Sequence, residues 1–91
     1  MVTSKLPPYY REYLKQEREN PNRIIAIRVG DFYEFMNESA KTISQELDLT
    51  LTGRDVGLPE RVPMCGVPFH ATEKYFNKIL ANHELVVIED Y

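Results

Sequence analysis

The stretch IIAIRVGDFYEFM (residues 24–36) decides how this chain folds. Its opening run is β-branched and of strand length, with apolar side chains at both odd and even positions, the pattern of a strand covered on two faces. Gly30-Asp31 then forms a two-residue connection with glycine at its first central position, the signal of a type II′ turn, so residues 32–36 double back as a second strand. Side chains alternate along a strand, which sends Phe32 and Glu34 to one side and Tyr33 and Phe35 to the other. An aromatic and a carboxylate thus stand together beside a hairpin tip, where a hydrophobic core asks for neither.

Upstream, PPYYREYLKQEREN (7–20) predicts a helix with Pro7 and Pro8 at its first turn and Pro21 just beyond its end. Tyr10, Tyr13, Leu14 and Glu17 share one of its faces. Downstream, NESAKTISQELD (37–48) predicts a helix with Asn37 as N-cap, Glu38 in the first turn, and Ala40, Ile43 and Leu47 at helical spacing. LTLT (49–52) reads as a short strand and 53–63 as loop. The prolines and glycine of VPMCGVPFH (62–70) argue against a long regular element there. A last helix over 71–82 buries Tyr75 or Phe76 together with Ile79 and Leu80, and ELVVIE (84–89) closes as an apolar strand. This order predicts the α/β class, a mixed β-sheet flanked by α-helices.

A chain of 91 residues is one domain's worth, with a modest core. Six Tyr and four Phe, with Ile, Leu and Val through the middle, make it too apolar for a disordered tail. The single cysteine, Cys65, closes no internal disulfide, and MVTSKLPPYY (1–10) lacks the apolar core of a secretory signal, so a cytoplasmic protein is expected. No segment is long enough to span a membrane. The net charge of −3 argues against a free-standing electrostatic grip on nucleic acid, since non-specific affinity comes mostly from Lys and Arg neutralising phosphates.

Catalytic constellations are weak. Cys65 and His70 invite a nucleophile-and-base reading, yet no Asn or Asp motif orients the histidine, and a free cysteine usually behaves as a small buried hydrophobe. Adding His83 gives no paired-ligand spacing for zinc. The four glycines are scattered and form no phosphate-binding loop. The expectation is a non-enzyme with no cofactor of its own.

Phe32 and Glu34 carry the remaining signal. A Phe in a strand beside Ile and Val is more often core than contact, but a carboxylate on the same face must reach water or a partner. Projecting together, the two could serve as a wedge between stacked bases and a reader of one base edge.

At these residues the chain resembles a known family. GDFYEF (30–35) is similar to the F-x-E element in the N-terminal, mismatch-recognising domain of the bacterial MutS proteins, and TLTGRD (50–55), RVPMCGVPFH (61–70) and HATEKYF (70–76) resemble successive segments of it in the same order. So does YREYLKQERENPNRIIAIRVG (10–30), and the likeness runs over about residues 8–88. The resemblance implies a single module over 1–91, part of or derived from a larger protein, in which Phe32 stacks beside a mispaired or unpaired base and Glu34 hydrogen-bonds it. It also makes Val29, Tyr33 and Arg54 candidates for the DNA-facing edge. The partner implied is double-stranded DNA with mismatched or unpaired bases, bound weakly by an isolated, monomeric domain. ATP enters only if a parent protein carries an ATPase domain.

The chain departs from the family pattern in three places. EFM (34–36) inverts the usual order of Met or Leu before an aromatic. His83 stands where a helix-ending glycine is usual, leaving Asn82 to supply a left-handed cap. IEDY (88–91) replaces a Cys-Glu-Gln ending, and no connector, clamp or ATPase sequence follows it. A competing reading is a protein-interaction module that kept the fold, such as a domain of a mobile-element protein. Net acidity favours that reading, and the joint presence of Phe32 and Glu34 favours DNA.

Overall fold

The computed structural model describes residues 5–90. Its elements are α1 (Pro8–Glu19), β1 (Ile24–Val29), β2 (Phe32–Met36), α2 (Asn37–Glu46), β3 (Thr52–Arg54), β4 (Val62–Pro68), α3 (Thr72–Leu80) and β5 (Leu85–Ile88), with a 3₁₀ turn, Phe69–Ala71, leading into α3. The strands form one sheet in the order β3-β4-β2-β1-β5. Neighbours are antiparallel except β1 and β5, which run parallel with Ile24 opposite Leu85 and Ile27 opposite Ile88. The sheet is therefore mixed and the chain α/β, as the sequence predicts.

Both faces of β1 are used. Ile25 and Ile27 pack with Tyr10 and Tyr13 of α1, whereas Ile24 and Ala26 pack with Ala40 and Ile43 of α2 and Ile79 of α3. With β2 and β5 on its two edges and helices above and below, β1 has no wet side, which is why its apolar run is continuous. Pro8 sits in the first turn of α1, where a missing N–H leaves no helical bond unmade. Tyr13, with no exposed surface, binds the layers together: its hydroxyl donates toward the carbonyls of Ile25 (2.8 Å) and Met36 (3.0 Å) and accepts the Met36 N–H (2.8 Å). Burial pushes its own ionisation far above the ordinary phenol range.

Several local expectations are corrected. Asn37 does not cap α2: it opens the helix at φ 55°, in the left-handed region that Asn tolerates, and its side chain accepts from the Tyr10 hydroxyl (3.3 Å) and donates to Glu17 (3.2 Å). The strand expected at 49–52 begins only at Thr52. The Leu49 N–H closes back onto Ser44 of α2 at 2.9 Å and the Leu49 side chain packs on the α2 side, so that residue is unavailable to a ladder. The supposed loop over 53–63 is also shorter, since Gly53 and Arg54 belong to β3 and Val62 and Pro63 to β4.

β4 itself is the main surprise. Seven residues, VPMCGVP, form a strand despite two prolines. Pro63 lies past the last β2 pair, Met36 with Met64, and meets Gly53 of β3 instead, while Pro68 forms the terminal pair opposite Phe32, so no proline interrupts the interior of the pairing with β2. Leu80 is exposed, because Ile79, Tyr75 and Phe76 already fill the sheet-facing stripe of α3. Asn82 supplies no left-handed cap: among the described residues the non-glycine positive φ values belong to Asn22, Asn37 and Asp48. α3 ends instead with the His83 N–H on the Ile79 carbonyl at 2.9 Å. The inverted Phe35-Met36 pair is accommodated, each residue fully buried on its own side of the sheet. Residues 1–4 of the N-terminal stretch expected to carry no secretory signal, and Tyr91 of the IEDY ending, lie outside the described residues.

Candidate nucleic-acid interface

The hairpin tip forms as expected. Val29 pairs with Phe32 across the two-residue turn, and Gly30 sits at φ 58° while Asp31 keeps a negative φ, the sign pattern of a type II′ turn. A second chain segment holds this tip. The Asp31 carbonyl accepts the Phe69 N–H at 2.8 Å, and Arg28 Nε donates to the Gly30 carbonyl at 2.6 Å.

Phe32 is 49% exposed, although four of the five β2 residues are buried. It is the first residue of β2, next to the turn, with half-buried Val29 as its cross-strand neighbour. Two residues on, Glu34 shares its side but is only 6% exposed. Gly66 pairs opposite Glu34, and a methyl group there would stand 3.7 Å from Glu34 Cγ and 3.3 Å from the Tyr33 carbonyl. The tight approach is to the carbonyl, so glycine at that position spares the β2 backbone beside Glu34. Phe32, Glu34, Thr50, Thr52, Met64 and Gly66 line an open groove of about 230 Å³. That is below the roughly 300–1,000 Å³ of sites for drug-sized ligands.

Arg54, on the edge strand β3, is brought to the same place. Its Nη1 lies 3.6 Å from Glu34 Oε2, its Nε donates to the Tyr9 hydroxyl at 3.1 Å, and its guanidinium carbon stands 5.3 Å from the Tyr9 ring centre. The other carboxyl oxygen, Glu34 Oε1, is buried with no hydrogen-bond partner. Burial raises the Glu34 pKa from the usual carboxylate value and Arg54 works against it. A buried acceptor without a partner is costly, and in folded proteins such atoms call for a reason.

Tyr33 goes elsewhere. It points through the opposite face, is 5% exposed, and packs against Phe76 and Phe69 while its hydroxyl donates to Glu89. Of the candidates, then, Phe32, Glu34, Val29 and Arg54 are assembled on one side and Tyr33 is buried on the other. Cys65 is buried too, its thiol donating to the Ala40 carbonyl at 3.6 Å with a pKa pushed up to about 11, while His70 is exposed in the 3₁₀ turn.

Three residues escaped the sequence reading. Gly66 was visible only as a strand breaker, Tyr9 only as one of several helix tyrosines. Phe69 is 48% exposed, stacks under the Arg28 guanidinium at 3.8 Å and braces the hairpin tip through its amide. Nothing local in VPFH marks it for that duty.

Among the described residues no helix is long and apolar enough to cross a membrane. The family model for MutS domain I matches residues 7–90. The chain is 53% identical over 83 residues, 91% of its length, to a DNA mismatch repair protein MutS of Desulforamulus reducens. To proteins of the same description from Clostridium perfringens and Clostridium tetani it is 45% and 43% identical, over 92% of its length in each case. It spans about a tenth of the length of these relatives.

Proposed function

The chain belongs to the MutS domain I family, and on that premise we propose that it is a DNA-binding module for mispaired or unpaired bases, with Phe32 as the wedge and Glu34 as the group that contacts the base. The observation that carries this reading is the pairing of a half-exposed aromatic ring with a buried carboxyl whose one oxygen has no partner, side by side on β2. An aromatic pressed into the minor groove unstacks a base step at a cost of a few kcal/mol, least where pairing is already defective. The carboxyl then faces the exposed base edge. A groove lined with phosphates disfavours the ionised form, so Glu34, whose pKa burial already raises, takes up a proton on binding. Protonated, it donates to a ring nitrogen that a carboxylate would repel.

The module acts in the cytoplasm without catalysis and without a cofactor of its own; ATP enters only if a parent protein carries an ATPase domain. With a net charge of −3 and little surface to wrap a bent duplex, the monomeric chain binds near the non-specific range of roughly 10⁻⁴ to 10⁻⁶ M, weakened by salt. The test is fluorescence anisotropy of the 91-residue chain with a matched duplex and with the same duplex carrying one unpaired base. Weak, salt-sensitive binding with a preference for the unpaired base is expected. Nanomolar affinity at physiological salt contradicts the weak-binding part. Equal affinity for the two duplexes overturns the mismatch reading and leaves the protein-interaction reading, which the net acidity favours.

A further inference from the structure

Arg54 is placed oddly for a residue that does no more than touch a phosphate. An edge-strand arginine with two-thirds of its side chain covered is held between Tyr9 of α1 and Glu34 of β2. The surroundings of Glu34 make that placement matter. Ile27 on β1 and Gly66 on β4 are its cross-strand neighbours, Phe32 and Met36 flank it on β2, and Val29 and Met64 stand opposite those two. Among the described residues the charge that acts on Glu34 is that of Arg54. Any event that draws the guanidinium away leaves the carboxylate buried and without a counter-charge.

We propose that Arg54 is a positioning residue for Glu34, one cation shared in turn between that carboxylate in the free domain and a backbone phosphate in the DNA complex. This rests on the mismatch-recognition reading above and adds a coupling to it. A third of the Arg54 side chain is open to solvent, so a phosphate can approach it without the sheet opening. A phosphate matches the guanidinium fork at least as well as a single carboxyl oxygen at 3.6 Å does. Once the arginine turns to it, Glu34 takes a proton from solvent, and the formerly acceptor-only group becomes a donor at the groove. Docking on the backbone thereby arms the base-reading group, and until then the ion pair masks a negative charge that would repel the duplex.

The experiment follows the Glu34 carboxyl by carbon-13 NMR through a pH titration of the 91-residue chain, alone and saturated with a short duplex carrying one unpaired base, in wild type, Arg54→Ala and Arg54→Lys. In wild type the titration midpoint is expected to move up when duplex is added. Arg54→Ala is expected to raise the midpoint in the free chain and to abolish most of the further rise with DNA. Arg54→Lys, which keeps the charge, is expected to stay near wild type in the free chain, and this separates an electrostatic role from damage to the fold. Binding by Arg54→Ala should also show a salt slope shallower by about 0.9, one phosphate's worth. The proposal falls if Arg54→Ala leaves the free-chain midpoint unmoved, or if saturating duplex leaves the wild-type midpoint unmoved. Equal binding of matched and unpaired duplexes would bring down the mismatch reading instead, with the Arg54→Ala shift still visible in the absence of DNA.

Discussion

Replacing Phe32 with alanine is expected to separate stability from recognition. A fully buried Phe→Ala change costs about 3–5 kcal/mol, part transfer and part cavity. Phe32 is 49% exposed, so about half the transfer contribution is already absent in the folded state, and its groove is open, so no closed cavity remains. The expected loss is about 1–2 kcal/mol. At about 4–8 °C per kcal/mol for a domain of this size, the melting point should fall modestly and remain cooperative. Stacking of an aromatic on a base is worth about 1–3 kcal/mol, so affinity for a duplex with an unpaired base should drop by about fivefold or more. Affinity for matched duplex should barely change. The assay is denaturant unfolding followed by circular dichroism, paired with anisotropy titrations in the same buffer. A loss of 3–5 kcal/mol would mean that the ring belongs to the core, and an equal loss of affinity on both duplexes would mean that it is a general contact rather than a wedge.

Glu34→Gln removes the charge and keeps a donor, so DNA binding should hold or tighten while the gap between unpaired and matched duplex narrows; unchanged selectivity in paired titrations contradicts the base-contact role. The same variant tests pH dependence. Burial raises the pKa of Glu34 and of Glu17 above their unfolded values, so their contribution to stability is fully present below the unfolded pKa and is lost as pH rises through the folded one. Wild type should therefore gain stability as pH falls from neutral toward the carboxyl range, and Glu34→Gln should gain less; identical melting-point profiles refute this. Gly66→Ala should cost about 1 kcal/mol through its tight approach to the Tyr33 carbonyl, which chemical denaturation would measure. Tyr13→Phe leaves the buried Met36 N–H without its hydroxyl partner and should cost about 1–3 kcal/mol with no change in selectivity; a loss under half that range would mean that the backbone finds another partner.

Features that repeat along the chain were legible in the sequence. The continuous apolar run of β1, the Gly30-Asp31 turn and the alternation of β2 are local signals, and each element formed where its pattern lay. β4 was not legible, since its prolines fall at or beyond the ends of its pairing with β2 and Pro63 meets Gly53 on the short edge strand β3, a fact of register rather than of composition. Asn37 failed as a cap for a similar reason, because Tyr10 and Glu17 claim its side chain from α1. Within the candidate site, Phe32 and Glu34 could be named from alternation and resemblance together. Tyr33 was already assigned to the other side by its odd position on β2, and alternation outweighs proximity in sequence. Gly66 and Tyr9 are meaningful only through their contacts with Glu34 and Arg54, which bring together four separate segments.

The bond from the Phe69 N–H to the Asp31 carbonyl, with Arg28 on Gly30, has a consequence for sequence context. A hairpin tip fastened on two sides has less conformational freedom than a bare two-residue turn, so it yields less readily when a duplex is pressed against it. Accommodation then falls on the nucleic acid. Pyrimidine–purine steps such as TA and CA unstack and kink easily, whereas A-tracts are stiff. On the wedge role proposed above for Phe32, targets would be ranked by the elasticity of the flanking base steps as much as by the identity of the mispair, so one lesion moved between flexible and stiff surroundings should be bound with different affinity.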